Sequence, residues 1–213
     1  MQDIILINKP RGISSFDVIR ELRRRLGVRK MGHAGTLDPL AEGLLIIGVG
    51  QGTKKLTQLV GLPKTYIFEV LFGKKTTTGD LEGETIEDKK VKSMNLGALR
   101  KVLTGLKGTN KLPAPLYSAI KIKGKPLYQY ARQGITVKTP QRDMKVYSLK
   151  LLNLRPYDKY QVAQMEIHCG SGTYIRTIAE EIGRRLNLPA TCKSIKRIAI
   201  GDYKLEDAEN ILT

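Results

Sequence analysis

The chain has 213 residues, of which 41% are hydrophobic, so it is long enough to bury a substantial core. Its formal net charge of +17 predicts a polyanionic partner, with nucleic acid ahead of an anionic membrane surface. No apolar stretch is long enough to span a membrane, the N-terminus has no secretory signal, and two cysteines are too few for a disulfide framework. We therefore expect a cytoplasmic protein.

The first predicted elements are a strand and a basic helix. Residues 4–7 form a short apolar run that ends in a turn with proline and glycine at residues 8–12, which predicts a strand. Ser14 or Ser15 can cap a following helix whose apolar side chains recur every three or four positions. Four arginines fall mostly on its wet side, either as a solvated face or as a surface for phosphates: Arg20, Arg23, Arg24 and Arg25.

A glycine-rich segment, GHAGTLDPLAEG at residues 32–43, follows this helix, and we call it the aspartate loop. Its glycines permit tight turns, while Pro39 fixes its own φ and biases Asp38 away from helical geometry. One carboxylate on stiffened backbone suits catalysis, although an ordinary β-turn has a similar composition. The apolar run at residues 44–50 then predicts a strand that is buried on both faces.

The middle of the chain combines a strand, a polar excursion and a basic lobe. Residues 65–72 alternate in character and predict a strand with Tyr66 on one face. Residues 73–95 predict a long polar excursion, after which Asn95 can cap a helix. Lysines, arginines and tyrosines interleave over residues 111–140, which predicts a lobe that contacts nucleic acid, or else a basic surface hairpin.

The last third predicts two antiparallel strands, at residues 146–154 and 162–169, and then a helix that begins after a glycine-containing turn. Arg176 falls in the first turn of that helix, where the helix dipole disfavours a cation. We therefore expect Arg176 to meet a specific anion, with simple exposure as the alternative. Another strand is predicted at residues 195–201. No linker or repeat is evident, so we expect a single domain over residues 1–213.

These segments together resemble the TruB-type tRNA pseudouridine synthases over nearly the whole chain. The aspartate loop resembles the catalytic loop of that family, and residues 8–10, Asn-Lys-Pro, resemble its opening motif. Lys-Thr-Tyr at residues 64–66 and Gly-Thr-Tyr-Ile-Arg at residues 172–176 resemble the motifs that carry its tyrosines and arginine. Residues 113–134 resemble a thumb-like insertion found in this family.

The resemblance implies an α+β fold: a mixed, mostly antiparallel sheet with flanking helices and a thumb-like insertion at about 109–140. It implies that the T-loop uridine at the conventional position 55 of tRNA is flipped out and isomerised to pseudouridine. Asp38 would attack the sugar carbon or remove a sugar proton, and the freed base would rejoin through carbon 5. The resemblance implies no cofactor and no metal. The expected partner is the T-stem-loop of tRNA, bound by a monomer.

The resemblance also implies roles for individual residues. Tyr66 becomes the candidate for stacking on the base and for removing the C5 proton. Arg176 is expected to pair with Asp38 and to keep that carboxylate ionised. The further substrate-binding residues that it implies are Lys9, Pro10, His33, Lys64, Tyr174 and Ile195.

Two features depart from the family pattern. Ile195 stands where leucine is common, which affects the fit of the pocket slightly. The sequence ends at Thr213, so we expect no small C-terminal RNA-binding domain of the PUA type that many relatives carry, and hence a weaker grip on phosphates.

Two other classes of function compete with the synthase. The first is a non-catalytic RNA-binding or RNA-chaperone protein in which Asp38 only stabilises a turn. The second is a metal-dependent phosphoesterase that uses His33 and Asp38, for which two histidines in the whole chain are a poor supply of ligands.

Overall fold

The structure, a computed structural model, describes residues 3–211 and contains two compact units. The first unit comprises, within that range, residues 3–67, 168–171 and 194–211; the second comprises residues 68–167 and 172–193. The ends of the predicted domain, Met1 and Thr213, lie outside the described residues. The prediction of a single catalytic domain over the chain stays a prediction.

The elements have the following bounds. The α-helices are α1 (Ser15–Leu26), α2 (Leu56–Gly61), α3 (Leu96–Gly105), α4 (Leu127–Arg132) and α5 (Ile175–Arg185). The strands are β1 (Ile4–Lys9), β2 (Met31–His33), β3 (Glu42–Val49), β4 (Lys64–Phe72), β5 (Lys74–Thr76), β6 (Thr85–Asp88), β7 (Gly108–Pro113), β8 (Lys121–Ile122), β9 (Lys125–Pro126), β10 (Gln141–Tyr157), β11 (Tyr160–Cys169), β12 (Ala190–Ile200), β13 (Tyr203–Lys204) and β14 (Glu209–Asn210). Within residues 3–211, no helix is both long enough and apolar enough to cross a bilayer.

Strand β3 is central to the first unit. It pairs antiparallel with β1 and β2 and parallel with β12. Its side chains alternate between two apolar clusters: Leu45 and Ile47 pack in the cluster that contains α1, whereas Leu44 and Ile46 pack with Leu59 of α2. The strand is therefore covered on both faces, as its unbroken apolar sequence predicts.

Helix α1 begins as predicted at a serine cap. Ser14 and Asp17 form a capping box, in which each side chain bonds to the backbone N–H of the other residue. The apolar stripe of the helix is buried, as at Val18 and Leu22. Leu26 belongs to the same predicted stripe but is exposed. It is the last residue of the helix, at the end that the core does not cover.

The second unit is also mostly antiparallel. Strand β10 pairs with β7 and also neighbours β11, while α3 is capped by Asn95 and contacts α5. The predicted polar excursion at residues 73–95 contains a hairpin, β5 with β6, that its sequence does not signal. Antiparallel pairing with helices packed against it in both units confirms the predicted α+β class.

A buried lysine closes helix α2 in the first unit. Lys64, at the start of β4, is 5% exposed, and its Nζ donates to Val60 O at 2.7 Å and Leu62 O at 2.6 Å. These carbonyls lie at the end of α2, where helices leave acceptors unpaired. Burial, together with the charge of Arg197, lowers the pKa of Lys64 to about 8, while Cys169 opposes the shift.

The lowered pKa of Lys64 predicts a pH dependence of stability. Between about pH 8 and the ordinary lysine pKa of 10.5, the unfolded chain binds more protons at this position than the folded chain. The free energy of unfolding of the wild type should therefore rise with pH across this window relative to that of Lys64→Met, by roughly 3 kcal/mol at most. Denaturant unfolding at a series of pH values measures the difference.

The exposed Lys204 provides the control for this prediction. Lys204→Met removes the same charge at a solvated site, so its curve should run parallel to that of the wild type. A Lys64→Met curve that also runs parallel would contradict the assignment of a lowered pKa.

Candidate active site

The aspartate loop is tied to the turn that precedes α1. Gly12 N donates to Pro39 O at 2.8 Å. The Ser15 hydroxyl accepts a hydrogen bond from Leu37 N at 2.8 Å and donates one to Leu37 O at 3.1 Å. Leu37 is buried, whereas Asp38 is partly exposed. The backbone on either side of Asp38 is thus fixed while its carboxylate lies within reach of a ligand.

Arg197, on β12, is hydrogen-bonded to the same loop. The sequence patterns did not identify this residue. It is only 1% exposed, and it donates from Nε to Leu44 O at 2.7 Å and from Nη2 to Gly35 O at 3.1 Å. One signal could have identified it. Side chains alternate along a strand, so Arg197 falls on the same face as Ile195, a predicted pocket residue that is also buried.

The loop ends where β12 passes very close to it. Gly43 is opposite Arg197 in the parallel pairing of β3 with β12. Gly43 has φ +104°, and a Cβ at this position would lie 2.3 Å from the carbonyl oxygen of Arg197. Only glycine fits there, which explains the last residue of the loop.

Tyr66, on β4, interacts electrostatically with Asp38 and Arg197. Burial raises the pKa of its phenol. The charge of Arg197, which is within hydrogen-bonding reach of the phenol, lowers that pKa, whereas the charge of Asp38 raises it. The first unit therefore brings together Asp38, Tyr66 and the guanidinium of Arg197, and it keeps the phenol protonated at neutral pH.

Lys9 is a second buried lysine near the loop. It is fully buried, and its Nζ donates to Pro10 O at 2.9 Å and Ile13 O at 2.7 Å, so it fixes the turn to which the loop is tied. Burial lowers the pKa of Lys9 to about 8, and the negative charge of Asp38 opposes the shift. Substrate binding by Lys9 stays a prediction.

Pro10 lines a cleft of about 400 Å³ in the first unit. Lys9 and Arg11 also line it, together with Glu42 and Lys196, whose side chains form an ion pair at 3.5 Å. Its cations exceed its carboxylates, so the cleft suits a polyanionic ligand.

His33 lies at the end of β2, immediately before the turn of the loop. Burial lowers the pKa of its imidazole, and the charge of Arg197 lowers it further, so the ring is neutral at pH 7. Its buried Nδ1 has no hydrogen-bond partner in the part of the chain that the structure describes. Over residues 3–211, no three His, Cys, Asp or Glu side chains are grouped so that they could hold a metal ion. The phosphoesterase alternative therefore has no ligand set among these residues.

Arg176 and Tyr174 lie in the second unit. Arg176 is 4% exposed, and its guanidinium donates to Thr78 O and Tyr117 O, both at 2.8 Å. It also lies 3.5 Å from a carboxylate oxygen of Asp80. Tyr174 is the N-cap residue of α5. The sequence thus correctly predicts that Arg176 meets an anion, while its pairing with Asp38 stays a prediction.

The thumb segment, residues 109–140, presents aromatic rings with cations over their faces. The Lys125 ammonium lies 4.6 Å from the ring centroid of Tyr130, and the Arg132 guanidinium lies 5.4 Å from that of Tyr128. Strands β8 and β9 pair antiparallel within this segment, and two further lysines there are exposed, namely Lys121 and Lys123. This segment offers both charge for phosphates and rings for bases.

The arginines of α1 are partly neutralised within their own helix. Glu21 accepts hydrogen bonds from Arg24 and Arg25, which lower the pKa of its carboxyl to about 2, and Arg20 pairs with Asp17. Ion pairs this exposed are weak. The helix can therefore exchange them for contacts with phosphates.

Comparison with solved structures identifies the fold. One chain of the solved Cbf5-Nop10-Gar1 complex matches with a TM-score of 0.73 and 22% identity, over 97% of this chain and 51% of that chain. A chain from an H/ACA RNP bound to a substrate RNA matches with a TM-score of 0.72 and 20% identity, over 98% of this chain and again 51% of the other. This chain thus spans about half the length of those proteins, and at such identities the likeness concerns the fold alone.

Comparison of sequences identifies the family. The tRNA pseudouridine synthase B of Pediococcus pentosaceus is 42% identical over 211 residues, covering 97% of this chain and 71% of the relative. The enzyme of the same name from Geobacillus kaustophilus is 40% identical over 97% of this chain and 74% of its own. The N-terminal domain of the TruB family pseudouridylate synthases matches residues 23–175. The chain therefore belongs to the TruB family of pseudouridylate synthases.

Proposed function

We propose that this protein isomerises the T-loop uridine at position 55 of tRNA to pseudouridine. The observation that supports this proposal most directly is the fixed aspartate loop, which presents the partly exposed carboxylate of Asp38 beside a buried tyrosine and a buried guanidinium. Relatives at about 40% identity are named tRNA pseudouridine synthases, which supports both the reaction and the substrate class.

The reaction exchanges one bond to the sugar for another. A uridine leaves its stack in the loop and enters the site, at a cost of a few kcal/mol. Asp38 attacks the sugar carbon or removes a sugar proton, and the bond from the sugar to N1 breaks. The base rotates and C5 bonds to the sugar carbon. That step either displaces the Asp38 carboxylate from the carbon or is accompanied by return of the abstracted proton to the sugar, so Asp38 is regenerated. C5 then loses its proton and N1 gains one. Atoms balance without a redox partner, so the chemistry requires no cofactor.

The surrounding residues suit these steps. As a neutral phenol, Tyr66 can stack on the freed base, and the nearby guanidinium favours the phenolate that would remove the C5 proton. His33 has a buried ring nitrogen without a partner among residues 3–211, so it can hydrogen bond to the extruded nucleotide. We assign substrate contacts to Pro10, Tyr174 and Ile195 as well. The buried Lys9 and Lys64 would serve substrate binding by supporting the segments around the aspartate loop, and Arg176 would have a charge-pairing role.

The second unit supplies the features that suit a folded RNA arm. Its thumb segment carries exposed lysines and cation-covered tyrosines, and the net charge of +17 favours association with any polyanion. We propose the T-stem-loop as the bound element, and we expect a monomer that acts in the cytoplasm, where tRNA is processed. A non-catalytic RNA-binding protein would leave the fixed carboxylate without a role.

Asp38→Asn should abolish isomerisation while RNA binding persists. Its amide keeps the shape of the side chain but can neither attack the sugar nor accept its proton, so turnover should fall about 10³-fold or more. Tritium released from a T-arm hairpin labelled at C5 of uridine measures turnover, and filter binding measures affinity.

Asp202→Asn provides a matched control for this substitution, because it makes the same chemical change at an exposed position of the first unit. It should behave as the wild type. Normal tritium release by Asp38→Asn would contradict the catalytic assignment, and loss of affinity with retained turnover per bound RNA would make Asp38 a binding residue.

The thumb lysines should contribute to the salt dependence of RNA binding. The double variant Lys121→Ala/Lys123→Ala removes two exposed cations, so the slope of log affinity against log salt should become shallower by about 0.7–0.9 per lost phosphate contact. Lys89→Ala/Lys90→Ala, which removes two exposed cations outside the thumb segment, should leave the slope unchanged. Equal slopes for the two double variants would show that the thumb lysines do not contact phosphates.

A further inference from the structure

Arg197 closes the aspartate loop across its base. The two carbonyls that it binds, Gly35 O and Leu44 O, flank residues 36–43, and Asp38 lies between them. These partners are 162 and 153 residues away from Arg197 in the sequence. One planar guanidinium thus joins both ends of the loop to a strand from the other end of the chain.

The buried lysines of the first unit do not perform this task. Lys9 bonds to carbonyls one and four residues from itself, and Lys64 bonds to carbonyls two and four residues away. Each therefore fixes its own segment. A Cβ built on Gly35 would lie 3.6 Å from Lys64 Cε and 3.7 Å from Arg197 Nη1, so both side chains pack under the loop, but only Arg197 bridges it.

Arg197 donates to main-chain carbonyls rather than to a carboxylate in the part of the chain that the structure describes. Among the ion pairs of residues 3–211, none includes this guanidinium, although the residue is almost completely buried. An unpaired buried cation is costly unless its donors are satisfied by hydrogen bonds. Its contacts are instead the two loop carbonyls and the phenol of Tyr66. Each of them belongs to the proposed active site or to the ends of its loop.

We propose that Arg197 is a positioning residue for the isomerisation: it fixes both ends of the aspartate loop and orients the Tyr66 phenol relative to Asp38. The inference rests on the proposed function. This role requires the guanidinium, whose N–H donors lie in one plane and point in different directions. The ammonium of lysine is a single point and cannot bind carbonyls on both sides of the loop and the phenol together.

Arg197→Lys tests this role because it keeps the charge and loses the fork. We expect kcat on a C5-tritiated T-arm hairpin to fall roughly 10²-fold, since small displacements of reacting groups are costly. The dissociation constant for the hairpin should change by no more than about two-fold, because the lost contacts act on the reacting groups rather than on bound RNA. Arg100→Lys, the same change at an exposed position of α3, is the control and should retain full activity.

Hydrogen exchange followed by mass spectrometry separates positioning from general stabilisation. In Arg197→Lys, amides of residues 35–44 should exchange faster while the rest of the first unit keeps its protection. Faster exchange throughout the chain, in step with lost activity, would reduce Arg197 to a stabilising residue and overturn the proposal. Wild-type kcat with unchanged exchange in the loop would overturn it as well.

A second variant and two active controls distinguish loss of the positioning role from loss of folding and from failure of the proposed function. If thermal unfolding shows that Arg197→Lys is unfolded at the assay temperature, Arg197→Gln replaces it, because the amide retains one donor in a smaller, uncharged side chain. The wild type and Arg100→Lys report on the proposed function itself. If both release no tritium, the proposed function fails; if both are active and the Arg197 variant is equally active, only the positioning role fails.

Discussion

The burial of cations beneath a single short loop is the constraint on which the proposed chemistry depends. Lys9, Lys64 and Arg197 are each nearly inaccessible, and each donates hydrogen bonds to main-chain carbonyls. A buried cation that has no carboxylate nearby can still be stabilised by hydrogen bonds to main-chain carbonyls. These hydrogen bonds fix a glycine-rich segment that would otherwise be free to move. They leave the carboxylate of Asp38 partly exposed, close to a buried layer of positive charge.

The two units contribute different parts of the function. The first holds the aspartate loop, Tyr66 and the buried cations, and these residues suffice to define where a nucleoside would react. The second holds the thumb segment with its exposed cations, and Arg176, which joins residues 78 and 80 to Tyr117 of the thumb segment. The reaction requires chemistry on one flipped base and a grip on a much larger folded RNA, so this division is physically reasonable.

Sequence patterns predict those parts of the fold in which local composition and burial agree. Strand β3 is recognisable because it is buried on both faces, and α1 because its cap and its apolar stripe are both local. The β5–β6 hairpin is polar and has no alternation, so nothing in its sequence distinguishes it from a loop. Arg197 was missed for another reason: a charged residue is expected in solvent, and its carbonyl partners lie more than 150 residues away.

Mapping of pseudouridines at single-nucleotide resolution tests the central claim most directly. An unmodified tRNA transcript is incubated with the protein, and the modified positions are read out by chemical derivatisation and reverse transcription. We expect one new pseudouridine, at the T-loop uridine of position 55, in the intact transcript and in its isolated T-arm. Tight binding of the transcript with no pseudouridine at that position would contradict the proposed function.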